Sequence, residues 1–318
     1  MLTIESFTNQ LVDYAGLFPP AGLDMPAVVE NYAQYLAGPN HPMLARLIVP
    51  AGRLAEFEEL AASLLPTSNA KATWRISALV PPNEENKSDF KFAISGITQF
   101  NERHAKPANG LALVDVIEVK TPTLDHIRRT IDDLPVELSA FMEIPHAEDP
   151  SEHIRLIANS RDSHRFFAKI RTGGVTPDLI PPCDQVARFI HSCAEQFVGF
   201  KATAGLHHPI RGDFKLTYEP DSATGTMHGF VNVFTAACFA FAYSMPVKDL
   251  EKILAATSAD EFSFTNECLR WRDYEISPAK VAAVRSKFAI SFGSCSFTEP
   301  TEELQQTGVT KQTVDSTP

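Results

Sequence analysis

Short apolar runs alternate with stretches of helical period along most of the chain, and the alternation repeats about eight times. The runs cover 12–18, 43–49, 74–80, 112–119, 138–144, 166–170, 198–202 and 288–293. Pro19, Pro50, Pro81 and Pro145 follow four of them, and proline stops a strand because it has no N–H for the ladder. Between the runs, apolar residues recur three and four apart. Val28, Val29, Tyr32 and Leu36 mark a helix over 25–36, and Leu54, Phe57, Leu60 and Leu64 mark one over 54–65. The same period predicts helices over 90–100, 124–134, 150–160, 184–196, 230–243, 248–256, 278–287 and 299–306. Strands apolar on both faces, each followed by a helix, predict a (β/α)8 TIM barrel over residues 1–306.

Two stretches depart from the rhythm. Residues 212–225 are polar and aperiodic and form an insertion after strand seven. Residues 261–273 alternate, with a turn at Asn266-Glu267, and predict an added hairpin before strand eight. Strand eight itself has two candidates, 288–293 or 261–265. An open doubly wound sheet is the rival fold, but it wants G-x-G-x-x-G after strand one, and 13–23 contains none. Residues 307–318 are polar and are expected to be a disordered tail.

Composition narrows the function. A net charge of −11 without a Lys/Arg run argues against nucleic acid as a partner. The chain starts without a basic, apolar leader. The apolar stretch 231–243 is too short to span a membrane and reads as a buried helix. Five cysteines without C-x-x-C spacing argue against a disulfide framework and a thiolate zinc site, and suit a reducing cytoplasm. The expected partner is a small-molecule substrate, with neither membrane nor cofactor; a homo-oligomer is left open.

The chemistry gathers around two lysines. Each ends an apolar run and is followed by small, turn-forming residues: Phe167-Ala168-Lys169-Ile170-Arg171-Thr172-Gly173 and Val198-Gly199-Phe200-Lys201-Ala202-Thr203-Ala204-Gly205. Burying an ammonium is costly, and the cost is tolerated where a Schiff-base nucleophile is wanted. Neighbouring lysines are expected to lower each other's pKa; the plain alternative is that they snorkel or pair with carboxylates. Barrel sites sit at the carboxyl ends of the strands. That rule collects Asp13, Asp115, Glu118, Glu143, Lys169, Arg171, Lys201, His207 and His208.

These motifs resemble the class I aldolases typified by deoxyribose-phosphate aldolase. The resemblance rests on the two lysine segments, on Val114-Asp115-Val116-Ile117, on Leu11-Val12-Asp13-Tyr14, on Met142-Glu143, and on Phe292-Gly293-Ser294-Cys295-Ser296. It implies Lys169 as the Schiff-base lysine, with Lys201 and Asp115 as its catalytic partners. It also implies a phosphate-binding turn at Ser294 and Ser296. The chain departs from the family at Arg171, where a small hydroxyl residue is usual, and at Gly205-Leu206-His207-His208-Pro209-Ile210-Arg211. Arg171, His207, His208 and Arg211 are therefore expected to hold a carboxylate or phosphate, beside Asp13 and Glu143, with the insertion folded over the mouth. A carbon–carbon lyase is the leading reading. A metal-dependent lyase or hydrolase using Glu118, Glu143 and one histidine is the alternative, as is a metabolite-binding barrel without turnover. His228 is expected either to cap the following helix or to face the site.

Overall fold

The computed structural model describes residues 2–68, 72–160 and 162–309. A short helix, α1 (Thr3–Thr8), leads into β1 (Val12–Tyr14). Then follow α2 (Met25–Ala37), β2 (Leu44–Pro50), α3 (Leu54–Ala61), β3 (Trp74–Val80), α4 (Asp89–His104) and β4 (Ala112–Lys120). The alternation continues with α5 (Leu124–Asp133), β5 (Ser139–Glu143), α6 (Ser151–Ala158), β6 (Phe166–Arg171), α7 (Cys183–Glu195) and β7 (Phe200–Thr203). A hairpin of β8 (Gly212–Lys215) and β9 (Thr224–Met227) comes next, then α8 (Phe230–Tyr243) and α9 (Val247–Ala255). The chain ends with β10 (Phe262–Phe264), β11 (Leu269–Trp271), β12 (Tyr274–Ile276), α10 (Pro278–Lys287), β13 (Ala289–Ser294) and α11 (Thr298–Gln306).

Strands β1–β7 and β13 close into an eight-stranded, all-parallel barrel in the order β1-β13-β7-β6-β5-β4-β3-β2. This is the (β/α)8 TIM barrel that the apolar rhythm predicts. β13 is the eighth strand, paired with both β7 and β1. The rival candidate, 261–265, lies in β10, part of a separate antiparallel sheet. That sheet has three strands rather than the two expected, because Tyr274–Ile276 adds a second turn of chain to the hairpin.

Local chemistry sets the element ends. Asp24 caps α2 by accepting from Ala27 N at 3.0 Å, and Ser277 caps α10 by accepting from Lys280 N at 3.4 Å. Helix α8 is buried on almost every side because it packs between the barrel and helices α7, α9 and α10. Its first residue packs on the barrel wall, Phe230 stacking on Phe292 at 5.3 Å. At the amino-terminal end of the barrel, the buried Arg285 guanidinium donates to the carbonyls of Phe7, Asn9, Gln10 and Ile290. That ties the α1 segment across the end opposite the site. Of the tail expected to lack order, residues 310–318 lie outside the described residues, whereas Val309 is buried against the core. Among the described residues, no helix is long and apolar enough to cross a membrane.

Candidate active site

Register brings the charged residues together. Lys120 on β4 pairs with Glu143 on β5, Glu143 with Lys169 on β6, Lys169 with Lys201 on β7, and Lys201 with Ser291 on β13. One row across five neighbouring strands therefore carries most of the ionic side chains of the site. The loops after β6 and β7 meet back to back above this row. A Cβ at Gly173 would stand 2.9 Å from the Gly205 Cα, and Gly205 has φ +75°. Thr172 Oγ1 donates to the Ala204 carbonyl at 2.6 Å in the same place. The small residues after each lysine thus let the two loops lock, which fixes one lysine relative to the other.

Glu118 lies between the lysines. Its Oε2 is 2.9 Å from Lys169 Nζ, and its Oε1 accepts from Lys201 Nζ at 2.6 Å and from Ser77 Oγ at 2.7 Å. Lys169 also meets Glu143 Oε2 at 2.9 Å, and Glu143 Oε1 is 3.5 Å from Arg171 Nε. Lys201 is wholly buried; it donates to Asp13 Oδ2 at 2.5 Å and its ammonium lies 5.5 Å from the centre of the Phe141 ring. Asp13 in turn accepts from Ser291 Oγ at 2.7 Å and from the Arg46 backbone N–H at 2.9 Å.

This pattern corrects the expectation that the lysines depress each other. Burial opposes the charge on Lys169, but the Glu118 and Glu143 carboxylates outweigh it and hold Lys169 above the ordinary lysine range. Burial likewise opposes the charge on Glu118, and Lys169 and Lys201 hold that carboxyl far below its ordinary range. Glu143 is held low in the same way, chiefly by Lys169 against its own burial. A carboxylate stands between the two ammoniums, so attraction replaces the expected repulsion.

A cavity of about 490 Å³ opens over the carboxyl ends of the strands. Lys169, Glu118, Glu143, Arg171, Lys120 and His207 line it, whereas Lys201 lies beneath the floor. Its other walls are mostly apolar, among them Leu79, Val175, Leu179, Leu216 and Met227.

Other predicted residues fall elsewhere. Asp115 is not beside the lysines: its carboxylate is held by Arg46 Nε at 2.7 Å and by the Arg75 guanidinium. The neighbour the lysines share is Glu118. His207 lines the cavity, with Nδ1 at 3.1 Å from Glu299 Oε2 and 3.4 Å from Ser294 Oγ. His208 turns away to Glu303 at 2.8 Å and stacks on Phe214 at 3.4 Å. Arg211 does not line the cavity either; its guanidinium lies 3.3 Å from His228 Nδ1, and its backbone N–H donates to Asn232 Oδ1. His228 neither caps α8, whose N-cap is Gly229, nor faces the site, because its Nε2 is buried against the Pro181 carbonyl at 2.7 Å. Burial pushes its pKa down to about 4.

The expected phosphate turn is filled by the chain itself. Ser294 Oγ accepts from Ser296 N at 3.3 Å, and Ser296 Oγ accepts from Glu299 N at 3.2 Å. The Glu299 carboxylate lies there, bonded by Tyr218 OH at 3.0 Å. The insertion corrects the reading of 212–225 as aperiodic. It forms the β8–β9 hairpin, whose Leu216 and Met227 form part of the cavity wall. Among the described residues, no group of three His, Cys, Asp or Glu side chains is placed to hold a metal ion.

No protein-family model, curated protein or solved structure matches the chain. The fold and the side chains of the cavity therefore carry the functional reading. Sequence reasoning missed Lys120 and Glu299. Lys120 follows Glu118 by two residues, so strand parity puts both on one face. Nothing local in the sequence marks Glu299.

Proposed function

We propose that the chain is a class I, Schiff-base carbon–carbon lyase acting on a small anionic carbonyl compound, with Lys169 as nucleophile. The observation that carries this reading is the placing of Lys169. Its amine lies on the floor of a cavity at the carboxyl end of a TIM barrel, almost buried and flanked by two carboxylates. The barrel suits such chemistry, since enzymes of this fold build their sites at that face. The resemblance of the lysine segments to the deoxyribose-phosphate aldolase family points the same way.

The resting lysine is an ammonium, so a proton must leave before attack. Glu143 is the more exposed of the two flanking carboxylates and faces the cavity. It takes the proton, Lys169 attacks the carbonyl carbon, and the carbinolamine forms. Glu143 then returns the proton to the hydroxyl, water leaves, and an iminium remains; ammonium plus carbonyl has become iminium plus water. When the carbon–carbon bond breaks, its electron pair moves to the iminium nitrogen and leaves an enamine. The hydroxyl proton of the departing fragment passes to a base in the cavity, and an aldehyde is released. Protonation of the enamine carbon and hydrolysis then regenerate Lys169. Lys201, Asp13 and Ser291 hold Glu118 and each other in place beneath the floor.

Reduction with borohydride in the presence of a panel of small aldehydes and ketones tests the reading. A reduced adduct on the Lys169 peptide supports it. Absence of that adduct across the panel, with the protein folded, removes it.

A further inference from the structure

The cavity is not evenly charged. On the β4–β6 side, Lys120 and Arg171 face it. The Lys120 ammonium makes no hydrogen bond and no ion pair within 4 Å among the described residues, acting on Glu143 only at longer range, and the Arg171 guanidinium has only the long 3.5 Å contact with Glu143. Across the site, three carboxylates (Asp13, Glu118 and Glu143) meet four cations (Lys120, Lys169, Arg171 and Lys201). One positive charge is left over, and the unpaired cation is at the cavity wall. On the β7–β13 side the balance is reversed. Glu299, held ionised by His207 and Tyr218 against its burial, occupies the turn after β13. TIM barrels often bind phosphate in that turn. Here the serines and the first backbone N–H groups bond one another, and a resident carboxylate repels a second anion.

We propose that the cavity takes a short-chain oxo acid without a phosphate group, its carboxylate held between Lys120 and Arg171. The inference rests on the Schiff-base reading of Lys169 and names the substrate class for it. Register supplies the geometry. Lys120, Glu143 and Lys169 are consecutive partners across three strands, so Lys120 and Lys169 stand about 10 Å apart at Cα. Arg171 follows Lys169 by one pleat on the same face, about 7 Å along the strand. Both cations therefore reach the space directly above the Lys169 amine. A carboxylate bound there places the carbonyl carbon within a bond or two of it, over Nζ. The remaining chain of the substrate meets Leu79, Val175 and Leu179 on the apolar wall.

The test uses three probes of similar size: pyruvate, acetone and dihydroxyacetone phosphate. The full-length protein is incubated with each over a concentration series, reduced with borohydride, and Lys169 labelling is read by peptide mass. Pyruvate is expected to reach half-labelling at a concentration at least tenfold below acetone and below dihydroxyacetone phosphate. Lys120→Met, at an exposed side chain, should shrink the pyruvate-to-acetone preference about tenfold. Arg171→Met should shrink it as well. Equal labelling by pyruvate and acetone overturns the carboxylate subsite while leaving the Schiff base standing, and so does a preference that survives both substitutions. Preferential labelling by dihydroxyacetone phosphate overturns it too. Absence of labelling by all three overturns the Schiff-base reading and this inference with it.

Discussion

Replacing Glu118 by glutamine removes the carboxylate that touches both lysine ammoniums. Lys201 keeps Asp13 and Lys169 keeps Glu143, so neither cation is left alone. What changes is the charge between them. Ammoniums bonded to the two oxygens of one carboxylate stand about 5 Å apart, and their repulsion, about 3 kcal/mol at an effective dielectric of about 20, is offset in the wild type by the Glu118 charge and left without that offset by glutamine. Breaking a buried ion pair costs about 3–5 kcal/mol by experience with other proteins, which agrees. Glu118→Gln should therefore lower the unfolding free energy by about 3 kcal/mol, measured by urea titration at pH 7. Lys201→Met removes one of the two repelling charges. The double variant should then lose about 2 kcal/mol less than the sum of the single losses. The acid limb adds a check. Glu118 has its pKa lowered from 4.5, so its stabilisation is present above that value and lost as pH falls below it. Glu118→Gln should flatten that loss. Strict additivity within about 0.5 kcal/mol, together with an unchanged acid limb, would refute the reasoning.

Glu143→Gln should slow turnover on an oxo acid by about 10²–10⁴-fold and abolish the acid limb of the rate profile, read from kcat against pH; a small effect on rate would remove the proton shuttle. Asp115→Asn should lower stability by about 1–3 kcal/mol, because Arg46 and Arg75 lose their partner, while borohydride labelling of Lys169 proceeds. His228 has a folded pKa of about 4 against an ordinary 6.5, so its contribution is present above pH 6.5 and lost as pH falls towards 4. That loss is worth about 3 kcal/mol, and His228→Asn should flatten the fall in urea stability between those two pH values. Replacing residues 212–225 by a Gly/Ser linker removes Leu216 from the cavity wall and Tyr218 from Glu299. The barrel should keep its far-ultraviolet dichroism while the KM for the oxo acid rises; an unchanged KM would show that the hairpin is a passive excursion.

The barrel strands were legible because parallel strands buried on both faces are continuous apolar runs, and prolines mark several ends. Choosing between the two acids of strand four was not. Val114 pairs with Ile76 and Val116 with Ser77, so Asp115 is an extra residue in the ladder. That irregularity turns Asp115 towards Arg46 and Arg75, a placement no pattern within one strand reveals. The hairpin in the insertion escaped for a related reason. Its strands have four residues each, and their support comes from outside: Phe214 stacks on His208, and Leu216 and Met227 close the cavity wall. The lysines were visible as buried cations, but the charge on Lys169 is upheld by Glu118 and Glu143, which reach it from other strands. Sequence spacing showed two like charges; the side-chain contacts show the Glu118 carboxylate between them.

In the proposed reaction the Lys169 amine becomes bonded to a substrate carbon. A crystal of the protein soaked with a short oxo acid, then reduced with borohydride, tests it most directly. Continuous density is expected from Lys169 Nζ to a carbon atom, with the carboxylate turned towards Lys120 and Arg171. Density for the oxo acid in the cavity, with Lys169 Nζ still bonded only to Glu118 and Glu143, would contradict it.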